Sequence, residues 1–360
     1  MQMNFDPAAL PRSWPLPAAP RPIVVLGAGG IVRDAHLPAY RKAGFPVAGV
    51  FDRDAARAGS VAGDFGLRAF ASLAEAVADP GAVFDLATPP GAHLDLLGAL
   101  PDGAAVLLQK PMGRDLDEAT AILALCRAKR LTAAVNFQLR FAPTVLPLRA
   151  AIARGLLGRI VDVEVHLNLL TPWALFPFLK GMARVEIAVH SIHYLDLIRA
   201  MLGNPVGVHA RTLGHPGTDL AQTRTAALLD FAPDQRCVLS INHNHDFGRR
   251  FQDASLRVEG DKGAAVLKLG LLLDYPRGEP DELWIDADGA WRPVPLDGGW
   301  FPDAFVGRMA NLQRFVAGED AMLESDVADA WHTMALVEAC FRSAAAPATP
   351  VPTSPMPTSP

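Results

Sequence analysis

The chain has 360 residues, half of them apolar and a fifth charged, with 33 Lys and Arg against 38 Asp and Glu and hence a net charge of −5. That length exceeds what one hydrophobic core usually serves and points to two packed domains. The acidic balance, without any basic run, argues against a nucleic-acid or anionic-membrane surface. Cys126, Cys237 and Cys340 form no CxxC pair, so neither a disulfide framework nor a thiolate metal site is expected, and a reducing, cytoplasmic setting fits. No apolar run approaches the roughly 20 residues of a membrane span, and the first residues lack a secretory leader pattern.

Proline marks both ends, six in the first 22 residues and six in the last 14. Residues 1–21 are expected to be a loosely attached arm and 347–360 a disordered tail. Between them, short apolar runs at Ile23–Leu26, Val47–Phe51, Ala82–Ala87, Ala104–Leu108 and Thr132–Asn136 alternate with helical patterns at Arg33–Ala43, Asp54–Phe65 and Leu116–Lys129. Strand, helix, strand with short links predicts a parallel, doubly wound sheet over residues 22–143. From there the rhythm changes. Val161–Leu170, Thr225–Phe231, Cys237–Asn242, Ala254–Glu259 and Gly263–Leu269 read as strands separated by turns rather than helices, so residues 144–346 are expected to form an α+β domain on a large, mostly antiparallel sheet. Helices are expected at Glu186–Leu202 and Asp326–Ser343.

The first run leads into Gly27-Ala28-Gly29-Gly30-Ile31-Val32 and then a helix. A tight turn at Gly27 and an uncluttered backbone at Gly29 let a pyrophosphate rest on the helix N-terminus, with Val32 standing in the third small-residue slot. The second run ends at Asp52, where an acid accepts the ribose hydroxyls of NAD. Arg53 beside it suits a 2′-phosphate, so NAD is favoured and NADP stays open. Lys110 lies at the C-terminal end of the fourth run, where open α/β sheets bind ligands, and Pro111 biases it to an extended backbone. Glu186, His190 and His193 fall on one face at helical spacing. Three readings compete there: a zinc site, half-buried structural histidines, or a histidine general base.

With Thr88-Pro89-Pro90-Gly91-Ala92-His93, Gln109-Lys110-Pro111, Asn136-Phe137-Gln138-Leu139-Arg140-Phe141-Ala142-Pro143 and His36-Leu37-Pro38 added, residues 22–345 resemble the Gfo/Idh/MocA oxidoreductases. The resemblance implies a Rossmann domain with NAD or NADP lined by Thr88, Pro89, His93, Gln109 and Gln138. It implies that Lys110 reaches both nicotinamide ribose and substrate, and that a homodimer or homotetramer forms through the second sheet. It also implies two departures. Gln109 replaces the usual acid before the lysine. Aligned on Leu202-Gly203, His193 takes the family histidine, while the first acid falls on Val189 and the glycine on Ser191. Lys110 and His193 are therefore the first candidates for chemistry, with His190 and Glu186 sharing the site. Trp173, Lys180, Arg184 and His243 are candidate substrate contacts; Arg184 reads equally as a salt-bridge partner, and His243 lies in the polar cluster Asn242–Asp246. The substrate expected is a polyhydroxylated small molecule, with no metal. The rivals are a redox-neutral, NAD-using glycoside-cleaving or isomerising enzyme and a non-catalytic dinucleotide sensor.

Overall fold

The computed structural model describes residues 5–351, so residues 352–360 of the tail lie outside the described residues. The first sheet holds β1 (Ile23–Leu26), β2 (Val47–Phe51), β3 (Val83–Leu86), β4 (Ala105–Leu108) and β5 (Thr132–Val135), all parallel in the order β2-β1-β3-β4-β5. The order reverses between β1 and β3. Crossovers leave those two strand ends in opposite directions, which opens a crevice at their carboxyl edge. β1, β3 and β4 are apolar and buried throughout, apart from Asp85 in the middle of β3. Around them run α1 (Leu37–Ala43), α2 (Ala55–Phe65), the short α3 (Leu73–Ala76), α4 (His93–Ala99) and α5 (Leu116–Ala128). Asp54 caps α2 and Asp115 caps α5, each carboxylate accepting first-turn amides.

After α6 (Val145–Ala153) the chain builds an eight-stranded sheet, ordered β13-β12-β11-β10-β6-β9-β8-β7. Its members are β6 (Ile160–Asn168), β7 (Gly207–Leu213), β8 (Arg224–Asp230), β9 (Arg236–Asn242), β10 (Asp253–Gly260), β11 (Ala264–Lys268), β12 (Glu282–Asp286) and β13 (Trp291–Pro293). Every pairing is antiparallel except β6 with β9. In β6, Val163, Val165 and Leu167 face the core while Asp162, Glu164 and His166 alternate onto the half-exposed face. α7 (Ile192–Leu202) and α9 (Val327–Ala345) cover the core face.

Two features depart from the sequence expectations. Helix α8 (Asp303–Val316) is encoded late but packs on the first sheet: Phe305, Met309, Ala310 and Leu312 share one cluster with Ile23, Val25, Val83, Ala105, Leu107 and Ala134. The proline-rich arm is not loosely attached. Phe5 and Leu10 are buried, the Trp14 ring lies 5.1 Å from Phe141, and Trp14 Nε1 donates to Asp320 at 2.8 Å. Arg21 N–H donates to Gln313 at 2.7 Å. Proline restricts the unfolded chain, so ordering this segment costs less entropy than its lack of regular structure suggests.

Candidate active site

At the switch point, Gly27 has φ +114°, and a Cβ there would stand 2.4 Å from the carbonyl oxygen of Ala87 at the end of β3. Only glycine lets β1 turn this close to its neighbour. Gly29 has no atom within 4 Å of the same construction, leaving room beside the turn. The helix beyond starts as a wide π turn, Val32–His36, before tightening into α1. Val32 is fully buried, Ile31 half-buried and Gly30 exposed. Asp52 accepts the Ala28 amide at 2.8 Å and the Asp54 amide at 2.9 Å, which fixes its carboxylate at the mouth of the loop. Arg53 is exposed beside it.

Thr88 Oγ1, Asn136 Oδ1 and Gln138 Oε1, on the segments that follow β3 and β5, are buried and have no protein partner. Buried polar groups are rarely left so. The ribose hydroxyls and carboxamide of a dinucleotide would satisfy them, and together with the open Gly29 backbone they fit that cofactor. Pro89 is exposed on the same loop. His93 departs from expectation. It is fully buried, with Nδ1 3.1 Å from the Met112 carbonyl and Nε2 3.2 Å from that of Thr88, so it pins the Thr88 loop from behind instead of lining the dinucleotide.

Lys110 reaches from β4 across to the second domain, where its Nζ donates to the Val189 carbonyl at 2.8 Å. The carbonyl of the residue in the family-acid position thus holds the lysine. Burial without a carboxylate partner pulls the ammonium down to about 8. His193 is 7% exposed and its Nδ1 has no partner, with the Trp300 ring edge-on at 5.5 Å. His190 is half-buried. Both imidazoles are held well below their ordinary range, chiefly by burial, with the Lys110 ammonium adding to the effect on each and the crowding of the His243 and His193 rings adding to it for His190. At neutral pH they are uncharged and able to accept a proton.

Glu186 does not share their face. Residues Ile187–Ser191 form a π turn, which inserts one residue into the helical register. Ser191 Oγ donates to both Glu186 oxygens, at 2.8 and 3.0 Å, and Glu186 Oε1 stands 3.4 Å from His243 Nε2. His243 Nδ1 lies 2.8 Å from Thr171 Oγ1, and its ring packs 4.6 Å from His190 and 5.4 Å from Trp173. Glu186 therefore reaches His190 only through His243. Trp173 Nε1 is buried without a partner. Arg184, a candidate substrate contact, instead pairs with Glu338 and stacks over Phe341, the salt-bridge half of its sequence reading. Lys180 is exposed after the 3₁₀ turn Pro177–Leu179.

Sequence reasoning missed two groups. Arg140, 4% exposed, forms a bidentate pair with Asp196 at 2.6 and 2.7 Å and also meets Asp329, bolting the end of the first domain to α7. Asp85 binds His36 at 2.6 Å and Tyr40 at 2.7 Å inside the first sheet; a lone acid in an apolar strand was the available signal.

A glycine turn at the switch point of a parallel sheet, with a half-buried lysine two residues past β4 meeting a second domain that carries two neutral imidazoles, is the arrangement of a pyridine-nucleotide oxidoreductase. The chain belongs to the Gfo/Idh/MocA family: residues 21–137 match its oxidoreductase, NAD-binding Rossmann-fold domain and residues 145–266 its C-terminal domain. Inositol 2-dehydrogenase of Rhizobium meliloti is 26% identical over 89% of this chain and 96% of its own length. D-xylose 1-dehydrogenase (NADP(+)) 2 of Haloferax volcanii is 30% identical over 52% of this chain and 59% of that protein. An Agrobacterium radiobacter oxidoreductase, crystallised with NAD+, L-tartaric acid and magnesium, superposes with a TM-score of 0.76 at 21% identity, covering 91% of this chain and 97% of that one. Among the described residues no helix is long and apolar enough to cross a membrane.

Proposed function

We propose that this protein is an NAD(P)-dependent dehydrogenase that interconverts a secondary alcohol and a ketone on a sugar, sugar derivative or cyclitol. The single observation that carries this reading is the Lys110 ammonium, delivered from the strand end beside the nucleotide turn to Val189 at the edge of the second domain. Nicotinamide, when bound, supplies the hydride acceptor or donor. His193, neutral and with an unpartnered ring nitrogen, takes the hydroxyl proton on oxidation, an effect typically worth roughly 10²–10⁴-fold. Lys110 donates to the same oxygen and stabilises alkoxide charge as it develops. Trp173 Nε1 and the His190 and His243 rings supply polar and flat surfaces suited to a hydroxyl-rich ring. The names of the curated relatives support a substrate of this class.

The half-exposed face of the eight-stranded sheet, with Leu228 and Trp284 each 39% exposed, is the proposed dimer or tetramer surface of a cytoplasmic enzyme. The test of function is a panel of polyols and aldoses with NAD and with NADP, read by absorbance of the reduced nucleotide. Lys110→Ala is expected to lower kcat by about 10²–10³ on the active substrate while NADH still binds. Turnover by that variant near the wild-type rate overturns the assignment.

A further inference from the structure

The reactive lysine is attached to a hydrogen-bonded chain that runs under the sheet. Lys110 N–H donates to Gln109 Oε1 at 2.8 Å. A backbone amide can only donate, so the side-chain oxygen faces it and the Gln109 NH₂ faces the other way, 3.1 Å from His36 Nε2. His36 Nε2 must therefore accept, its proton sits on Nδ1, and that proton goes to Asp85 Oδ2 at 2.6 Å. Tyr40 donates its hydroxyl to the same oxygen at 2.7 Å. His36 and Asp85 are both fully buried, and the Phe305 ring closes over His36 at 4.8 Å. Five elements meet here: β3, the π turn before α1, α1 itself through Tyr40, the end of β4 and, through Phe305, α8.

We propose that His36 and Asp85 are positioning residues for Lys110, acting through Gln109, and that an amide at 109 keeps His36 neutral and the lysine free of an adjacent carboxylate. A glutamate at 109 would offer the Lys110 amide one oxygen and His36 the other. The second contact needs a proton on His36 Nε2, so the ring would become an imidazolium between two carboxylates. The lysine would gain an acid at its own peptide. No other acid takes that place: Glu186 on the facing π turn is engaged by Ser191 and stands against His243, and Glu118 beyond Pro111 is bonded to Arg114. The ammonium donates to the Val189 carbonyl, and the His190 and His193 rings lie within its electrostatic reach. Burial unopposed by any carboxylate agrees with an ammonium titrating near 8.

This inference rests on Lys110 being the reactive group of the proposed dehydrogenase, but its readouts need no substrate, so its failure is separable from failure of that reading. ¹⁵N-histidine spectra of the full-length protein are expected to show His36 as the Nδ1–H tautomer. In wild type reductively ¹³C-methylated at its lysines, the Lys110 resonance is expected to titrate near 8. In Gln109→Glu its midpoint is expected to rise by about one pH unit or more and His36 to become doubly protonated. An Nε2–H tautomer in the wild type overturns the proposal, and that measurement stands whether or not the variant folds. A Lys110 midpoint unmoved in Gln109→Glu overturns it too.

Discussion

Arg140→Leu tests how the two domains are held in register. The substitution removes a guanidinium that serves Asp196, Asp329 and Glu324 together. Asp329 keeps Arg199 at 2.8 Å and Glu324 keeps Arg149 at 2.8 Å, whereas Asp196, 1% exposed, keeps only the Thr333 hydroxyl at 2.9 Å. The loss therefore concentrates on one buried carboxylate, where breaking a pair typically costs about 3–5 kcal/mol. The double variant Arg140→Leu with Asp196→Leu leaves no buried charge unpaired at this point and is expected to recover most of that loss. Burial already holds the Asp196 carboxyl above its ordinary range, with Arg140 the main force pulling it down. Without Arg140 it rises further. A carboxyl raised in the folded state is disfavoured when charged, so the variant's deficit is small in acid and grows as pH climbs from the unfolded value through the folded one. Urea unfolding of wild type, both single variants and the double, repeated across pH, measures this. A deficit below about 1 kcal/mol, a deficit flat in pH, or a double variant no more stable than Arg140→Leu refutes the reasoning. Asp196 lies one helical turn past His193, so kcat on the active substrate should fall along with stability.

Three further outcomes are expected. The pH profile of oxidation should lose activity on the alkaline side at about 8, as Lys110 gives up the proton with which it holds the substrate oxygen, and keep activity in acid below the usual imidazole range, because His193 resists protonation; an acid limb at 6.5 or above contradicts this. Gly27→Ala forces a Cβ against the Ala87 carbonyl at φ +114° and should weaken NADH binding by roughly tenfold or more, since left-handed strain alone costs about 1–2 kcal/mol; fluorescence titration that finds unchanged affinity refutes it. Asp52→Ala removes the acceptor of two loop amides and should shift the NAD-to-NADP preference toward NADP by roughly tenfold, with Arg53 and Arg57, the latter 3.9 Å from the Asp52 carboxylate, left to meet a 2′-phosphate; equal losses for both nucleotides contradict the reading.

The first sheet was legible because its strands are short apolar runs bounded by glycine, proline and helix caps, and the register of β1 against the Gly27 turn follows from local chemistry alone. The placement of Lys110 just past the end of β4 was legible because an apolar run ending before proline has a predictable address; the role proposed for it came from the family resemblance. What escaped depended on contacts distant in sequence. Glu186 and His190 sit at ideal spacing for an α-helix, but Ser191 and His243 draw the carboxylate into a π turn that no periodicity reveals. His93 looked available beside Thr88, yet its ring is fully buried between the carbonyls of Met112 and Thr88, to one of which its single N–H donates. Arg184 is the salt-bridge partner its sequence reading allowed, and only Glu338, more than 150 residues away, was out of reach of the sequence. The arm's prolines suggested slack chain, while Phe5, Leu10 and Trp14 carried enough apolar area to seat it.

The late return of α8 has a consequence for biogenesis. The apolar side of β1, β3, β4 and β5 that receives Phe305, Met309 and Leu312 is complete once Val135 is made, yet its cover is encoded about 170 residues downstream, some 10–30 s at ordinary translation rates. A nascent chain on the ribosome thus carries a partly uncovered hydrophobic surface for nearly half of its synthesis. A fragment cut at the end of the nucleotide-binding half would carry it permanently, and should be recovered from cells bound to chaperones or in inclusion bodies rather than as a free domain.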